Sequence, residues 1–189
     1  MYSTLLADAT FHDLLLAYDR DLADNTRQAG CACGGALHSA SYPRKPRPQL
    51  AWLRAEQHLR FSFCCAVDGC RSRATPPSLR FLGRKVFLAT IVVVVSIMQH
   101  GISEPRMRRL IQSVNVDRRT VARWRRWWRK IFTATPFWQN ARAAFMPPVD
   151  AERVPAALLE RFSGSSVEKR MIALLRFLGP ITGGQMQAL

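Results

Sequence analysis

The stretch that decides the fold is Asn115–Phe132, NVDRRTVARWRRWWRKIF. On a helix with about 100° per residue, apolar and cationic side chains fall on opposite sides. The apolar side has Val121, Trp124, Trp128, Ile131 and Phe132, and the cationic side has Arg119, Arg123, Arg126 and Lys130. Asp117 is predicted as the N-cap, because its carboxylate can accept from first-turn amides and favours the positive end of the helix dipole. One face therefore suits a protein core and the other suits phosphate.

A second helix is predicted immediately before this one. Ser103 can cap it, Pro105 is tolerated near its start, and apolar residues recur at helical spacing up to Val114. Two helices joined by a tight turn, the second one basic and capped, are typical of a helix-turn-helix, whose second helix enters the major groove N-terminus first.

The predicted nucleic-acid contacts follow from the entry of the second helix into the major groove. We expect base-edge contacts from the start of the helix and phosphate contacts further along, because the arginine fork grips guanine or phosphate with paired hydrogen bonds. The base-edge residues are Arg118, Arg119, Thr120 and Arg123, and the phosphate residues are Arg126, Arg129 and Lys130. A solvated helix face over an ordinary core, or a helix at a membrane surface, are the alternatives.

Positive charge is concentrated in the middle of this 189-residue chain, whose net charge is +15. Residues 31–130 carry 20 Lys and Arg against 4 acids, whereas residues 1–30 have 2 Arg and 5 Asp. A polyanion would be held there by phosphate neutralisation and counterion release. Nucleic acid is the simplest such partner, and anionic lipid is the weaker competitor.

The longest apolar run is VFLATIVVVVSIM, Val86–Met98. It is too short to span a bilayer unaided. Its β-branched residues favour a strand, but it leads directly into the two-helix unit, so we expect the first helix of a trihelical domain. The acidic N-terminus lacks the pattern of a secretory signal, which predicts a cytoplasmic protein with no membrane partner.

The five cysteines form two clusters, CACGG at Cys31 and Cys33 and FSFCCAVDGC at Cys64, Cys65 and Cys70. Without an export signal, paired cysteine clusters favour a metal over disulfides. A tetrahedral Zn²⁺ needs four soft ligands, and we favour Cys31, Cys33, Cys65 and Cys70, with Cys64 or His38 as alternates. Arg60–Cys64 is predicted to be the strand that delivers the second pair. Buried free cysteines are the alternative.

Two loops would extend the cationic surface. Prolines hold SYPRKPRP extended and expose Arg44, Lys45 and Arg47, which suits a phosphate backbone or a minor groove. The second loop, RSRATPPSLRFLGRK, offers Arg71, Arg73, Arg80, Arg84 and Lys85.

The two ends of the chain are predicted to be helical. Phe11–Arg27 has the pattern of an amphipathic helix with Leu14, Leu15, Tyr18 and Leu22 among acids. Val154–Phe162 and Val167–Leu178 are predicted as two short helices that pack on the body or on a second chain, so an oligomer could form through them.

Three segments together, CACGGALHSASYPRKPRP, RFSFCCAVDGCRSRATPPSLRFLGRKVFL and RRTVARWRRWWRKIF, resemble small bacterial proteins of mobile genetic elements. These are similar to transposase N-terminal regions, a zinc ribbon followed by a helix-turn-helix. The resemblance covers Cys31–Phe132, where CxC replaces the more common CxxC. It implies DNA binding linked to a mobile element, with the four favoured cysteines in the metal positions and Asp117–Lys130 in the recognition helix.

The sequence thus predicts a mainly α protein with a small zinc-ribbon β element. Its segments would be an N-terminal helix (1–30), a zinc ribbon with basic loops (31–83), a helix-turn-helix (84–133) and a C-terminal helical region (134–189). We expect a double-stranded-DNA-binding accessory or regulatory subunit in the bacterial nucleoid, with a recombinase or other element-encoded protein as a further partner. An RNA-binding accessory module is the alternative. A transposase or nuclease is disfavoured, since no nucleophile, base or open metal site is apparent.

Overall fold

The computed structural model describes residues 2–44, 53–82, 88–98 and 104–183 of the chain. The protein is mainly helical and has small antiparallel sheets, as the sequence predicted at that level. Two compact units are present. Among the described residues, the cysteine unit comprises 8–44, 53–82, 88 and 175–183, and the helical unit comprises 2–7, 89–98 and 104–174. Each unit is defined by contacts within it and combines separate stretches of the sequence. The units therefore do not test the four consecutive segments, which stay a prediction.

The cysteine unit begins with α1 (Ala9–Ala29), which Asp8 caps by accepting from the Phe11 N–H at 3.1 Å. The buried side of α1 differs by one position from the predicted one, since Leu14 is exposed and Leu16 is buried. The buried residues are Phe11, His12, Leu15, Leu16, Asp19 and Ala23, which still recur at helical spacing.

Five short strands follow α1: β1 (Leu37–Ser39), β2 (Tyr42–Pro43), β3 (Leu59–Arg60), β4 (Phe63–Cys65) and β5 (Arg73–Ala74). One sheet has the order β1-β4-β5, the other is the pair β2-β3, and all pairings are antiparallel. The single strand predicted over Arg60–Cys64 is therefore wrong. The chain moves from one sheet to the other at residues 61–62, which buries Phe63 and leaves Phe61 half-buried.

The helical unit is built on α2 (Ala89–Met98), in which every residue of 89–97 is buried. The expected helix in the apolar run is thus observed over Ala89–Met98, because complete burial outweighs the weak helix propensity of the valines. α2 packs against α3 (Glu104–Ser113), α4 (Arg118–Arg126) and the 3-10 turn Tyr2–Leu6.

Beyond α4 the chain continues as a π-helical turn, Trp127–Ile131, and a 3-10 turn, Phe132–Ala134. A π turn contains one residue more than an α turn, so it shifts the phase of the side chains after Trp127. Ile131, predicted on the apolar side, is 53% exposed, while Trp128 and Phe132 are fully buried. The predicted regular helix through Phe132 is corrected accordingly.

The rest of the helical unit contains α5 (Pro136–Ala141), α6 (Ala156–Leu159) and α7 (Val167–Leu178), of which residues 175–178 belong to the cysteine unit. Its further 3-10 turns are Arg142–Ala144 and Ala151–Arg153, whereas Gly179–Thr182 and Ala55–His58, the latter between β2 and β3, belong to the cysteine unit. α7 has the predicted bounds. The helix predicted over Val154–Phe162 shrinks to α6. Within the described residues, no helix combines the length and the apolar character that crossing a membrane would require.

Candidate metal centre and cationic helix

The first cysteine pair lies in a tight turn directly after α1. Gly30 ends the helix at φ 72°, and Gly34 has φ 83°, a backbone conformation that glycine adopts without strain. The Gly34 N–H donates to the Cys31 carbonyl at 2.8 Å, and the Cys31 N–H donates to the Gly35 carbonyl at 3.0 Å. Both ends of the turn are thereby held by backbone hydrogen bonds, and Cys31 and Cys33 are brought to the same side.

The second pair is delivered by β4 and the turn that follows it. Cys65 ends β4 opposite Leu37 of β1, which anchors it within the sheet. The Cys70 N–H then donates to the Val67 carbonyl at 3.2 Å, and Gly69 takes φ 87° in the same turn. The two turns meet, and the Sγ atoms of Cys31, Cys33, Cys65 and Cys70 all lie within 4.8 Å of one another.

This sulfur geometry fits a tetrahedral metal ion. The Cys31 and Cys70 Sγ atoms are 3.7 Å apart, and those of Cys33 and Cys65 are 3.5 Å apart. With Zn–S bonds of about 2.3 Å, the edge of a ZnS₄ tetrahedron is about 3.8 Å, whereas a disulfide would bring two sulfurs to about 2.05 Å. The four cysteines, all present as free thiols, could hold a metal ion such as zinc.

The surroundings act in opposite directions on the two thiols of the second pair. The Val67 N–H donates to the Cys65 Sγ at 3.4 Å, but burial and hydrogen bonds with the neighbouring cysteines raise the pKa of Cys65 to about 12. The pKa of the Cys70 thiol is lowered to about 6, chiefly because it is hydrogen-bonded to the side chain and the backbone of Ser72. Deprotonated sulfur is the form that ligates metal. Gly35 lies close under the cluster, since a Cβ there would be 2.5 Å from Val67 Cγ2 and 2.8 Å from the Cys65 Sγ.

The two alternate ligands lie apart from this cluster. His38 and Cys64 are paired across β1 and β4, and the alternation of side chains along a strand turns Cys64 away from the face of Cys65. His38 is exposed, and the Cys64 Sγ is 3.5 Å from the Arg71 carbonyl oxygen. The structure therefore groups the four favoured cysteines and neither alternate.

The second candidate site is the exposed face of α4. Asp117 caps the helix as predicted, accepting from the Thr120 N–H at 2.6 Å, and this hydrogen bond is the main reason that the Asp117 pKa is lowered. Arg119, Arg123 and Arg126 are exposed on one side of α4. Trp124 and Trp128, 3% and 0% exposed, are excluded from stacking on nucleic-acid bases, and the Trp128 Nε1 donates to the Ser96 Oγ at 3.0 Å.

Four of the residues predicted to contact DNA through α4 and the π turn have intramolecular partners, among them Arg123, whose guanidinium donates to the Thr120 hydroxyl at 2.6 Å. Thr120 is 2% exposed and its hydroxyl donates to Asp117 at 2.8 Å, so we correct the expectation that it faces a base. Arg118 forms an ion pair with Glu104 of α3, and Arg129 forms one with Glu152. Lys130 is exposed.

The predicted basic loops are only partly described. Lys45, Arg47, Arg84 and Lys85 lie outside the described residues. Arg44 is half-buried, with its guanidinium 6.0 Å from the centre of the Tyr42 ring. Arg71 and Arg73 are exposed, and Arg71 forms an ion pair with Asp68 at 3.2 Å.

Arg80 does not belong to the cationic surface, and its assignment there is wrong. It is 3% exposed, and its Nε donates to Asp19 at 2.8 Å. Asp19, completely buried, also accepts from the Leu79 N–H at 2.6 Å and from the Ser78 hydroxyl at 2.5 Å. The spacing of Asp19 from Leu15 and Ala23 on one side of α1 was the sequence signal for its burial.

Arg60 is a further buried cation that the sequence did not reveal. It is 1% exposed and donates to the carbonyls of Pro76 at 2.6 Å and Thr182 at 3.0 Å. Its burial lowers its pKa to about 10. Two of the arginines in the basic middle of the sequence therefore stabilise the interior of the cysteine unit and are not available to a ligand.

No protein-family model, curated protein or solved structure matches this chain.

Proposed function

We propose that this chain is a metal-stabilised DNA-binding protein in which α4 contacts duplex DNA. The observation that carries the proposal is the division of α4 into two faces. Arg119, Arg123 and Arg126 are exposed on one side, and Trp124 lies in the interior on the other. From Arg119 to Arg126 the helix rises about 10 Å, which is comparable with the roughly 12 Å width of the major groove of B-DNA.

A helix-turn-helix assignment is supported by the arrangement of α2, α3 and α4. Residues 114–117 join α3 to α4, and Asn115 takes φ 44° in this turn. Val114 and Val116 of the turn are 2% and 4% exposed, which holds the two helices together through a buried turn. In this arrangement the N-terminal part of α4 would reach base edges through Arg119 and Arg123, and Arg126 and Lys130 would contact phosphates.

Zinc is the proposed resident ion of the four-cysteine cluster, in a site of the zinc-ribbon type. Four thiolates close the coordination sphere, so the ion would supply folding stability and no catalysis. It would tie the end of α1 to β4 and the turn after it, which are the elements that hold Cys31, Cys33, Cys65 and Cys70.

The wider context of the proposal rests on the sequence. A net charge of +15 favours a polyanion as the partner. The resemblance to proteins of bacterial mobile elements supports a role as an accessory or regulatory subunit in the nucleoid, beside a recombinase or another element-encoded protein. An enzymatic role has no sequence motif in its favour, and the C-terminal helices are the candidates for self-association.

Binding to a labelled duplex, followed by fluorescence anisotropy at low salt, tests the proposal. The wild-type chain should bind, and the Arg119→Ala/Arg123→Ala/Arg126→Ala variant should lose most of its affinity. The matched control is Arg27→Ala/Arg142→Ala/Arg153→Ala, which removes the same charge at exposed positions outside α4. Absence of duplex binding, or equal losses in the two variants, would overturn the proposal.

RNA is the second candidate ligand, and Trp127 is the observation in its favour. This side chain is half-buried beside Trp128, with ring centroids 4.7 Å apart, so part of its surface stays accessible to an unpaired base. Competition between duplex DNA and structured RNA of equal length decides between the two ligands. Tighter binding to RNA that is lost in Trp127→Ala would replace the DNA proposal.

Two neighbouring cysteine substitutions test the proposed metal site. Cys65→Ser should release zinc, because it removes a ligand from the cluster. Cys64→Ser changes the adjacent thiol outside the cluster and should retain one zinc per chain. Metal content by mass spectrometry under native conditions gives the readout, and equal zinc retention in the two variants would contradict the assigned ligand set.

A further inference from the structure

Two arginines that flank the exposed arginines of α4 form ion pairs with carboxylates of the helical unit. Arg118, at the first position of α4, is paired with Glu104 at the start of α3. Arg129, in the π turn after α4, is paired with Glu152 of the 3-10 turn Ala151–Arg153, which packs against the π turn.

The three arginines between these two pairs, called the middle arginines below, have no carboxylate partner in the described residues. Arg119, Arg123 and Arg126 are exposed and form no ion pair within residues 2–44, 53–82, 88–98 and 104–183. The only hydrogen bond described for their guanidinium groups runs from Arg123 to the Thr120 hydroxyl at 2.6 Å. Arg119 and Arg126 can therefore contact nucleic acid without first giving up a carboxylate, whereas Arg123 would give up the Thr120 hydroxyl and lies near enough to Asp117 to help lower the pKa of that carboxyl.

A guanidinium that is paired with a carboxylate must release it before it can neutralise a phosphate. The Arg118–Glu104 pair is exposed, so it is weak and opens at a modest cost in free energy, whereas Arg129 is half-buried and its release from Glu152 costs more. That cost is nevertheless subtracted from the affinity for phosphate, and the carboxylate also repels the approaching backbone. Arg118 and Arg129 therefore contribute less to binding than the middle arginines.

We propose that Glu104 and Glu152 restrict the nucleic-acid footprint of α4 by withholding Arg118 and Arg129 from it. The inference rests on the proposed function and deepens it, because it names the residues that limit affinity at the same surface. Both carboxylates compete with phosphate for the flanking arginines, and removing either one adds one phosphate contact to the complex.

The salt dependence of duplex binding tests this inference. The slope of log K against log[salt] measures how many phosphates are neutralised, at about 0.9 per phosphate on B-DNA. Glu152→Gln should make the slope steeper by about 0.9 and tighten binding about two- to fivefold near 0.1 M salt. Glu104→Gln should do the same through Arg118.

The matched control is Glu160→Gln. Glu160 is also exposed and pairs with Arg153 at 2.7 Å, so the substitution changes the net charge equally and frees an arginine outside α4. Its slope should equal that of the wild-type chain. Equal steepening in Glu160→Gln and Glu152→Gln would show a general charge effect and overturn the inference.

A double-mutant cycle closes the test. Arg129→Ala should leave the wild-type slope unchanged and should reverse the steepening in the Glu152→Gln background. A shallower slope for Arg129→Ala in the wild-type background would mean that Arg129 already contacts phosphate, which contradicts the restriction. Failure of the wild-type chain to bind any duplex is a different result, because it refutes the proposed function itself.

Discussion

Removing one partner of the buried pair of Asp19 and Arg80 should be among the most destabilising single substitutions in the cysteine unit. Asp19 is completely buried and accepts hydrogen bonds from Arg80, Ser78 and the Leu79 backbone. Burial lowers the pKa of Arg80, and Asp19 is the neighbour that opposes this shift. Asp19→Ala leaves a buried guanidinium without its counter-charge, so we expect the free energy of unfolding to fall by about 3–5 kcal/mol. Typical domains have only about 5–15 kcal/mol in total.

Urea titration followed by far-UV circular dichroism measures this loss, because α1 contributes strongly to the helical signal. The control is Asp21→Ala, an exposed position on the same helix with the same change of charge, which should stay within about 0.5 kcal/mol of the wild-type value. The double variant Asp19→Leu/Arg80→Met should recover much of the loss, since apolar replacement of a buried pair is often neutral. A loss in Asp19→Ala no greater than in Asp21→Ala would refute the reasoning.

Three further predictions follow from local contacts. Gly35→Ala should speed zinc release to a chromogenic chelator, because its Cβ would lie 2.8 Å from the Cys65 Sγ; an unchanged release rate would contradict this. The pKa of Asp117 is lowered by the Thr120 N–H, so the stabilisation is complete above the ordinary pKa of 3.8 and is lost as the pH falls through the lowered folded-state value. Asp117→Asn should therefore remove this part of the acid-induced fall in the melting temperature, and an identical pH profile would be the opposing result. Trp128→Phe leaves the buried Ser96 hydroxyl without its 3.0 Å partner and should cost about 1–3 kcal/mol in thermal or urea unfolding.

The sequence predicted correctly those features that depend on residue types and spacings within a short segment. The capping carboxylate of Asp117, the bounds of α7 and the choice of Cys31, Cys33, Cys65 and Cys70 all depend on residue type and spacing. For the cysteines, glycines at the turns gave the chain the freedom to bring two distant segments together. The exposed Cys33 and the buried Cys65 could not be distinguished in advance, because exposure is set by the surrounding sheet.

Long-range contacts decided what the sequence left unresolved. Arg80 lies in a basic loop and was predicted to be exposed, but it pairs with Asp19, 61 positions earlier in the chain. No periodicity connects two such positions. The prediction that Ile131 lies on the apolar side of the helix is wrong for a different reason. A π turn changes the direction in which the following side chains point, and no residue type in the sequence indicates where such a turn occurs.

The same limits apply to the candidate DNA surface. The ion pairs of Arg118 with Glu104 and of Arg129 with Glu152 join different elements, so the sequence could divide the seven candidates of this helix into base-edge and phosphate contacts but could not show which of them have a carboxylate partner. The structure separates the arginines with a carboxylate partner from those without one in its described part. It is this separation, and not the number of arginines, that determines the expected footprint.

The most direct test of the account is the salt dependence of duplex binding by two double variants. Arg126→Ala/Lys130→Ala removes the two exposed cations that are assigned to phosphates, one in α4 and one in the π turn after it, and Arg27→Ala/Arg142→Ala removes two exposed cations elsewhere. If α4 holds the phosphate backbone, the first variant should make the slope of log K against log[salt] shallower by about 1.8 while the second leaves it unchanged. Equal slopes in the two variants would contradict the account.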